Sequence, residues 1–378
     1  MIIKLFCQKS FTGSALKSKL ELAIQQRKLP YQVEEINNTE VFVKEGISTV
    51  PAIKIKETII VHPERGDIDE TVRKTLDLMK VIDNGYILVP LDFTSESIHA
   101  LKYAMIVASK LNKGITMVHI HEPLVDQLTN SAFDIEMMKR NRHRLNEMLL
   151  EVGWDKVKAG NHIPIDIKFD TGDAVSHIVP LMNDEKYDLI IMSTKAEDTF
   201  WKRILSSVSI EVSRRSLKPV IVVPPAAEIK FPKKMVVGVV NEFLYENSLE
   251  FLLDFAYENG VFLEFVHVAD ENVNFEWLKS KLTEKLLSYG KKLPGFDIIP
   301  LRNEFDQVDE SLQYMTSHNS VDMLVLMTHH RNLINSLGHR SISKRVLLQP
   351  HLPVMILHGE DEKGLGIIDY LYGMIQAE

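Results

Sequence analysis

Short apolar runs alternate with amphipathic stretches along most of the chain. YILVPLD (86–92), ITMVHIHE (115–122), DLIIMST (188–194) and PVIVVPP (219–225) are strand-length and rich in β-branched residues. SESIHALKYAMIVASKLN (95–112) and a long stretch within 125–152 carry helical spacing between them. Unbroken apolar runs, in place of strict alternation, predict strands covered on both faces, as in parallel sheets flanked by helices.

The order then recurs. KMVVGVV (234–240), VFLEFVHVAD (261–270), FDIIPL (296–301), DMLVLMT (322–328) and PVMILH (353–358) predict a second set of strands. SLEFLLDFAYENG and FEWLKSKLTEKLLSYG supply helices between them. Laying 188–224 on 322–358 at a constant offset of 134 needs no gap. It pairs Asp188 with Asp322, Thr194 with Thr328, Ser207 with Ser341, Ser209 with Ser343 and Pro219 with Pro353. Val-His recurs at 118–119 and 266–267. The pattern reads as a tandem duplication.

Residues 1–80 follow another rhythm. IIKLF and YQVEEI read as strands around a helix, SALKSKLELAIQQRK, which ends before Pro30. EVFVKEG predicts a short helix, PAIKI and TIIVH a hairpin, and DETVRKTLDLMKV a closing helix. That βαβαββα order predicts a small mixed sheet with helices on both sides. IDNG (82–85) and AAEIKFPKK (226–234) read as linkers. The expected organisation is therefore a domain at 1–80, repeats at 84–226 and 233–359, and a tail at 360–378. The tail's apolar spacing suits a helix packed on its own domain.

Composition narrows the function classes. Hydrophobic residues make up 45% of the 378 and charged residues 25%, which suits a globular chain. Lys plus Arg number 44 against 52 Asp plus Glu, a net charge of −8, so no general attraction to nucleic acid or an anionic membrane is expected. One cysteine excludes an intramolecular disulfide and a Cys-rich zinc site. No window is long and apolar enough for a bilayer span, and the N-terminus lacks a secretory pattern. A cytoplasmic location is expected.

The strings ILVPLDFTSESIHALKYA, VHIHEP, and DLIIMST followed by SSVSIEVSRRSLKPVIVVPP resemble the universal stress protein family. The resemblance covers roughly 84–359. It implies two tandem α/β units, each a doubly wound parallel sheet of five strands. It also implies pairing through the last strand of each unit, hence an intramolecular pseudo-dimer, and it allows a homodimer.

ATP-binding members of that family carry Gly-x-x-Gly-x9-Gly-Ser/Thr after the fourth strand. Glycines let backbone N–H groups approach a phosphate, and the next helix presents its N-terminus. Here the three glycine positions fall on Ser193, Ala196 and Ser206, with Ser207 in the hydroxyl place. In the second repeat they fall on Met327, His330 and Arg340, followed by Ser341. Ser and Ala leave room for a phosphate chain, whereas Met, His and Arg crowd it. The family's acidic residue after the first strand is kept as Asp92 and becomes Asn241 in the second repeat. The resemblance thus implies ATP or another adenine nucleotide as the candidate ligand of repeat one. The bland alternative is that these serines only cap a helix.

Ser-Thr-Val-Pro (48–51) ahead of AIKI resembles thioredoxin- and glutaredoxin-like folds, and implies a cis bond at Val50–Pro51. Cys7, followed by Gln, Lys and Ser10, is the candidate monothiol. Its place at a strand end, with the family's cysteine position nearer Phe11–Ser14, favours a buried core thiol. His119 with His121 and His329 with His330 are candidate metal ligands. The first pair is expected to point to opposite faces of its strand, and no metal site is expected. The leading expectation is a non-catalytic stress-response protein acting through a protein partner or a small ligand. A nucleotide-binding sensor and a monothiol redox enzyme are the alternatives.

Overall fold

The computed structural model describes residues 2–8, 11–55, 58–61, 67–121, 131–152, 163–193, 207–240, 246–268, 275–290, 295–300, 321–329 and 352–359. The predicted tail lies outside them. The chain packs as two compact units.

The first opens with β1 (Ile2–Phe6), α1 (Phe11–Gln26), β2 (Gln32–Ile36), α2 (Thr39–Lys44), β3 (Ala52–Ile55), β4 (Thr58–Val61) and α3 (Ile68–Asp83). This is the βαβαββα order read from the sequence. The sheet runs β2-β1-β3-β4, with β1 parallel to β2 and antiparallel to β3, and β3–β4 an antiparallel hairpin. Ile3, Leu5, Leu16, Leu20, Ile53 and Ile55 are fully buried between sheet and helices. Each contributes about 1.5–3 kcal/mol of apolar transfer. Asn38 and Asp67 cap α2 and α3 by accepting from Glu40 N and Asp69 N, satisfying donors that a helix start leaves open. Val50–Pro51 is cis, as the resemblance implied.

The ten-stranded sheet comprises β5 (Tyr86–Pro90), β6 (Gly114–His121), β7 (Ile165–Thr171), β8 (Tyr187–Ser193), β9 (Val220–Val223), β10 (Lys234–Val240), β11 (Phe262–Val268), β12 (Phe296–Pro300), β13 (Met323–His329) and β14 (Val354–Gly359). Its helices are α4 (Ser95–Leu111), α5 (Ser131–Glu151), α6 (Ala174–Met182), α7 (Ser207–Arg215), α8 (Glu246–Asn259) and α9 (Phe275–Ser288). The order is β12-β11-β10-β13-β14-β9-β8-β5-β6-β7. Read outward from its centre, each group of five has one order: fifth strand, fourth, first, second, third.

Within β10–β14 every neighbour pair is parallel, as is β8–β9. At the centre the direction reverses. β14 meets β9 antiparallel, Val354 opposite Val222 and Ile356 opposite Val220. All four β9 residues are fully buried. Such apolar runs belong inside a covered sheet, since an exposed edge of that composition would invite aggregation.

The segment joining the two groups is tied down. His99 Nε2 donates to Ala227 O at 2.8 Å, and Phe231 stacks on Phe255 of α8. Lys230 bridges to Asp322 Oδ1 at 2.8 Å, while Asp322 Oδ2 accepts from Lys233 N and Lys234 N at 2.8 and 3.0 Å. One carboxylate thereby closes the start of both β10 and β13.

Candidate functional site

In an open α/β sheet, ligands bind beyond the carboxyl ends of the strands, where the winding reverses. In the group β5–β9 the chain moves from β5 through β6 to β7, then returns to place β8 on the other side of β5. The reversal lies between β5 and β8. Asp92 follows β5 there, and Ser193 ends β8.

The turn after β5 is built locally. Asp92 Oδ1 accepts from Thr94 N at 3.1 Å and from Thr94 Oγ1 at 2.5 Å. Thr94 Oγ1 in turn accepts from Ser97 N at 3.2 Å, capping α4. Between them Phe93 has φ +63°, a left-handed conformation that a bulky residue rarely adopts. It costs on the order of 1–3 kcal/mol, held by the bonds on either side.

A cavity of about 420 Å³ opens beside this turn, lined by Asp92, Phe93, His119, His121, Asn141 and Arg144, with Glu136 and Arg140 at its wall. Its volume falls within the ~300–1,000 Å³ usual for ligand sites. The two histidines correct the expectation from sequence. Residues two apart on a strand share a face, so His119 and His121 both reach the cavity instead of diverging.

Their states differ. His119 is buried, its ring 4.2 Å from that of Phe93, and Nδ1–H donates to Leu91 O at 2.8 Å. Burial pushes its pKa down, partly opposed by that bond. It is therefore neutral at physiological pH, with Nε2 an acceptor. His121 Nε2 is buried without a hydrogen-bond partner among the described residues.

α5 supplies the cationic wall. Arg140 pairs with Glu136 one turn back at 3.0 Å, an exposed contact of small energetic value. Arg144 instead lies over Phe93, its guanidinium carbon 4.4 Å from the ring centroid. The sequence reading missed this wall because charged residues at helical spacing look like a solvated face. The available signal was Arg140 and Arg144, i and i+4, opposite two histidines sharing a strand face.

Of the predicted nucleotide residues, Asp92 and Ser193 lie at the ends of neighbouring strands, and Ser207 opens α7. Ala196 and Ser206 lie outside the described residues, as do His330, Arg340, Ser341 and Asn241. Met327 and His329 belong to β13. Among the described residues the cavity is lined from β6, α5 and the turn after β5. Among them, too, no group of three His, Cys, Asp or Glu is placed to share a metal ion.

Cys7 sits just past β1 and is 1% exposed. Its Sγ lies 3.5 Å from Glu35 Oε1 and 3.6 Å from Asn37 Oδ1. Burial, then the Glu35 carboxylate, pushes its pKa up to about 11. A nucleophilic thiol needs the opposite shift. At pH 8 the thiolate fraction is roughly a hundredfold or more below that of an ordinary thiol of pKa ~8.5. Alkylation of the native protein by iodoacetamide is accordingly expected to be at least about a hundredfold slower than in denaturant. Equal rates would show an accessible, activated thiol.

Residues 85–224 match the Universal stress protein family. No curated protein sequence matches the chain. Among solved structures, a universal stress protein from Archaeoglobus fulgidus is 19% identical, covers 72% of this chain and 98% of its own, and superposes with a TM-score of 0.54. A putative universal stress protein from Pseudomonas aeruginosa is 15% identical over 80% of this chain and 100% of its own, with a TM-score of 0.47. A universal stress protein in complex with cAMP is 23% identical over 37% of this chain and 96% of its own, with a TM-score of 0.30. At 19% identity the likeness to the Archaeoglobus fulgidus structure is one of fold. The part of the chain that holds the cavity, residues 85–224, is a universal stress protein domain.

Proposed function

We propose that this protein is a non-catalytic, small-ligand-binding protein of the universal stress type, and that the cavity beside Asp92 takes an adenine nucleotide. One observation carries the reading: an aromatic and polar cavity stands at the carboxyl ends of β5 and β6, next to the winding reversal, with Asp92 at its mouth. Asp92 spends Oδ1 on Thr94, which leaves Oδ2 for ribose hydroxyls. His119 Nε2 offers an acceptor for an amino group on a base. His119 is fixed by a backbone carbonyl and not by a nucleophile, which favours binding over turnover.

In this reading residues 84–226 and 233–359 are duplicated units forming a pseudo-dimer within one chain. The shared strand order, the gapless offset of 134 and the antiparallel β9–β14 pairing support it. The sheet at 1–80 is read as a thioredoxin- or glutaredoxin-like module for binding a protein partner, since its one thiol is buried and protonated.

The test begins with protein purified without added ligand, then denatured, and its released small molecules identified by mass spectrometry. Titration calorimetry with ATP, AMP and cAMP follows. Binding is expected, weakened about tenfold to a hundredfold by Asp92→Ala, the loss of charge-assisted hydrogen bonds. The absence both of a co-purified nucleotide and of any binding at millimolar concentration would sink the reading.

A further inference from the structure

We propose that Arg144, seated on Phe93, is the anion-binding group of this cavity, so that a nucleoside monophosphate, open or cyclic, binds with its phosphate toward α5 instead of toward the β8–α7 connection. The inference rests on the nucleotide reading above and adds the direction of the ligand and its size.

Three observations meet at this point. First, Arg140 already has a carboxylate partner in Glu136, whereas among the described residues Arg144 forms no ion pair. Its planar guanidinium is laid on an aromatic face, which orders it while leaving its N–H edge to a ligand. Second, Phe93 reaches that position only through a left-handed backbone, fixed by the Asp92–Thr94 turn. Strain kept in place by surrounding bonds is characteristic of binding sites. The residue that would face the sugar and the residue that carries the arginine's platform are adjacent in sequence. Third, His121 Nε2 is buried at the cavity without a partner among the described residues. A buried polar atom of this kind is costly unless a ligand completes it.

The other side of the switch point differs in sequence from the family pattern. The positions where phosphate-binding glycines stand in the family read Ser193, Ala196 and Ser206 here, so the sequence lacks the glycines that bring backbone N–H groups closest to a long phosphate chain. A single phosphate reaching one guanidinium and one imidazole needs no such glycines.

The experiment is calorimetric titration of the full chain with adenosine, AMP and cAMP at low and moderate salt, repeated for Arg144→Gln and Arg144→Ala. Arg144 is on an exposed helix face, and unchanged circular dichroism verifies that the variants fold. AMP or cAMP is expected to bind at least tenfold more tightly than adenosine. Either substitution is expected to remove that advantage while leaving adenosine affinity within about twofold. If wild-type protein binds adenosine and AMP alike, or the variants keep the phosphate preference, the anion site is overturned and the nucleotide reading survives. If none of the three binds, both fall.

Discussion

Ile221→Asp is expected to separate the two halves of the ten-stranded sheet. Ile221 is fully buried on β9, directly opposite Met355 of β14, at the only antiparallel junction described in that sheet. An aspartate there would bury a carboxylate among apolar strand residues, a cost of at least about 4 kcal/mol. Domains are commonly stable by only ~5–15 kcal/mol, so little would remain. Ile221→Ala removes methylenes without adding charge and should cost about 2–5 kcal/mol. Amide hydrogen exchange read at β9 and β14 is the proper measurement, because a chain with several domains need not unfold in one step. Protection in both strands should collapse in the aspartate variant and fall partially in the alanine variant. Undiminished protection in Ile221→Asp would mean that the two strands do not hold each other.

Gly114→Val should be nearly as damaging, for a steric reason. Gly114 opens β6, donating from its N–H to Gly85 O at 3.1 Å. A Cβ at this position would stand 2.3 Å from Cε1 and 2.4 Å from Cδ1 of Tyr86. Tyr86 is 2% exposed and cannot swing away. Even alanine forces overpacking worth about 1–3 kcal/mol, and valine adds two methyl groups to the same collision. Thermal unfolding of Gly114→Ala and Gly114→Val should give a graded loss. Combining Gly114→Ala with Tyr86→Leu should recover part of it, since residues in contact do not act additively. Full additivity would show that the ring is not the obstacle.

Strand positions were legible because burial on both faces leaves an unmistakable apolar run: KMVVGVV is β10 residue for residue, and IIKLF is β1. β7 was missed for the converse reason. IDIKFDT lies at the edge of the sheet and is partly exposed along its length, so it has no apolar run to read. α6 was missed too, and its Pro180 argues against a helix when judged locally. Asp92 was named on the family resemblance, and it lines the cavity beside the turn after β5. His121 was singled out only as a candidate metal ligand, and Phe93 and Arg144 were not named, because their place at the cavity arises only where a strained turn, a strand face and a helix converge. The error over His119 and His121 was one of strand period, not of missing information.

The β9–β14 pairing sets the concentration at which the halves meet. Two separate chains joined through such an edge come apart on dilution, so a scarce protein would exist largely as single units. Here the partner strand is covalently attached, and tethering of this kind commonly corresponds to millimolar effective concentration. The pairing therefore holds at any copy number in the cell. It also frees the halves from identity: because each is guaranteed its neighbour, either half can change its sequence away from the β9–β14 seam without weakening the joint.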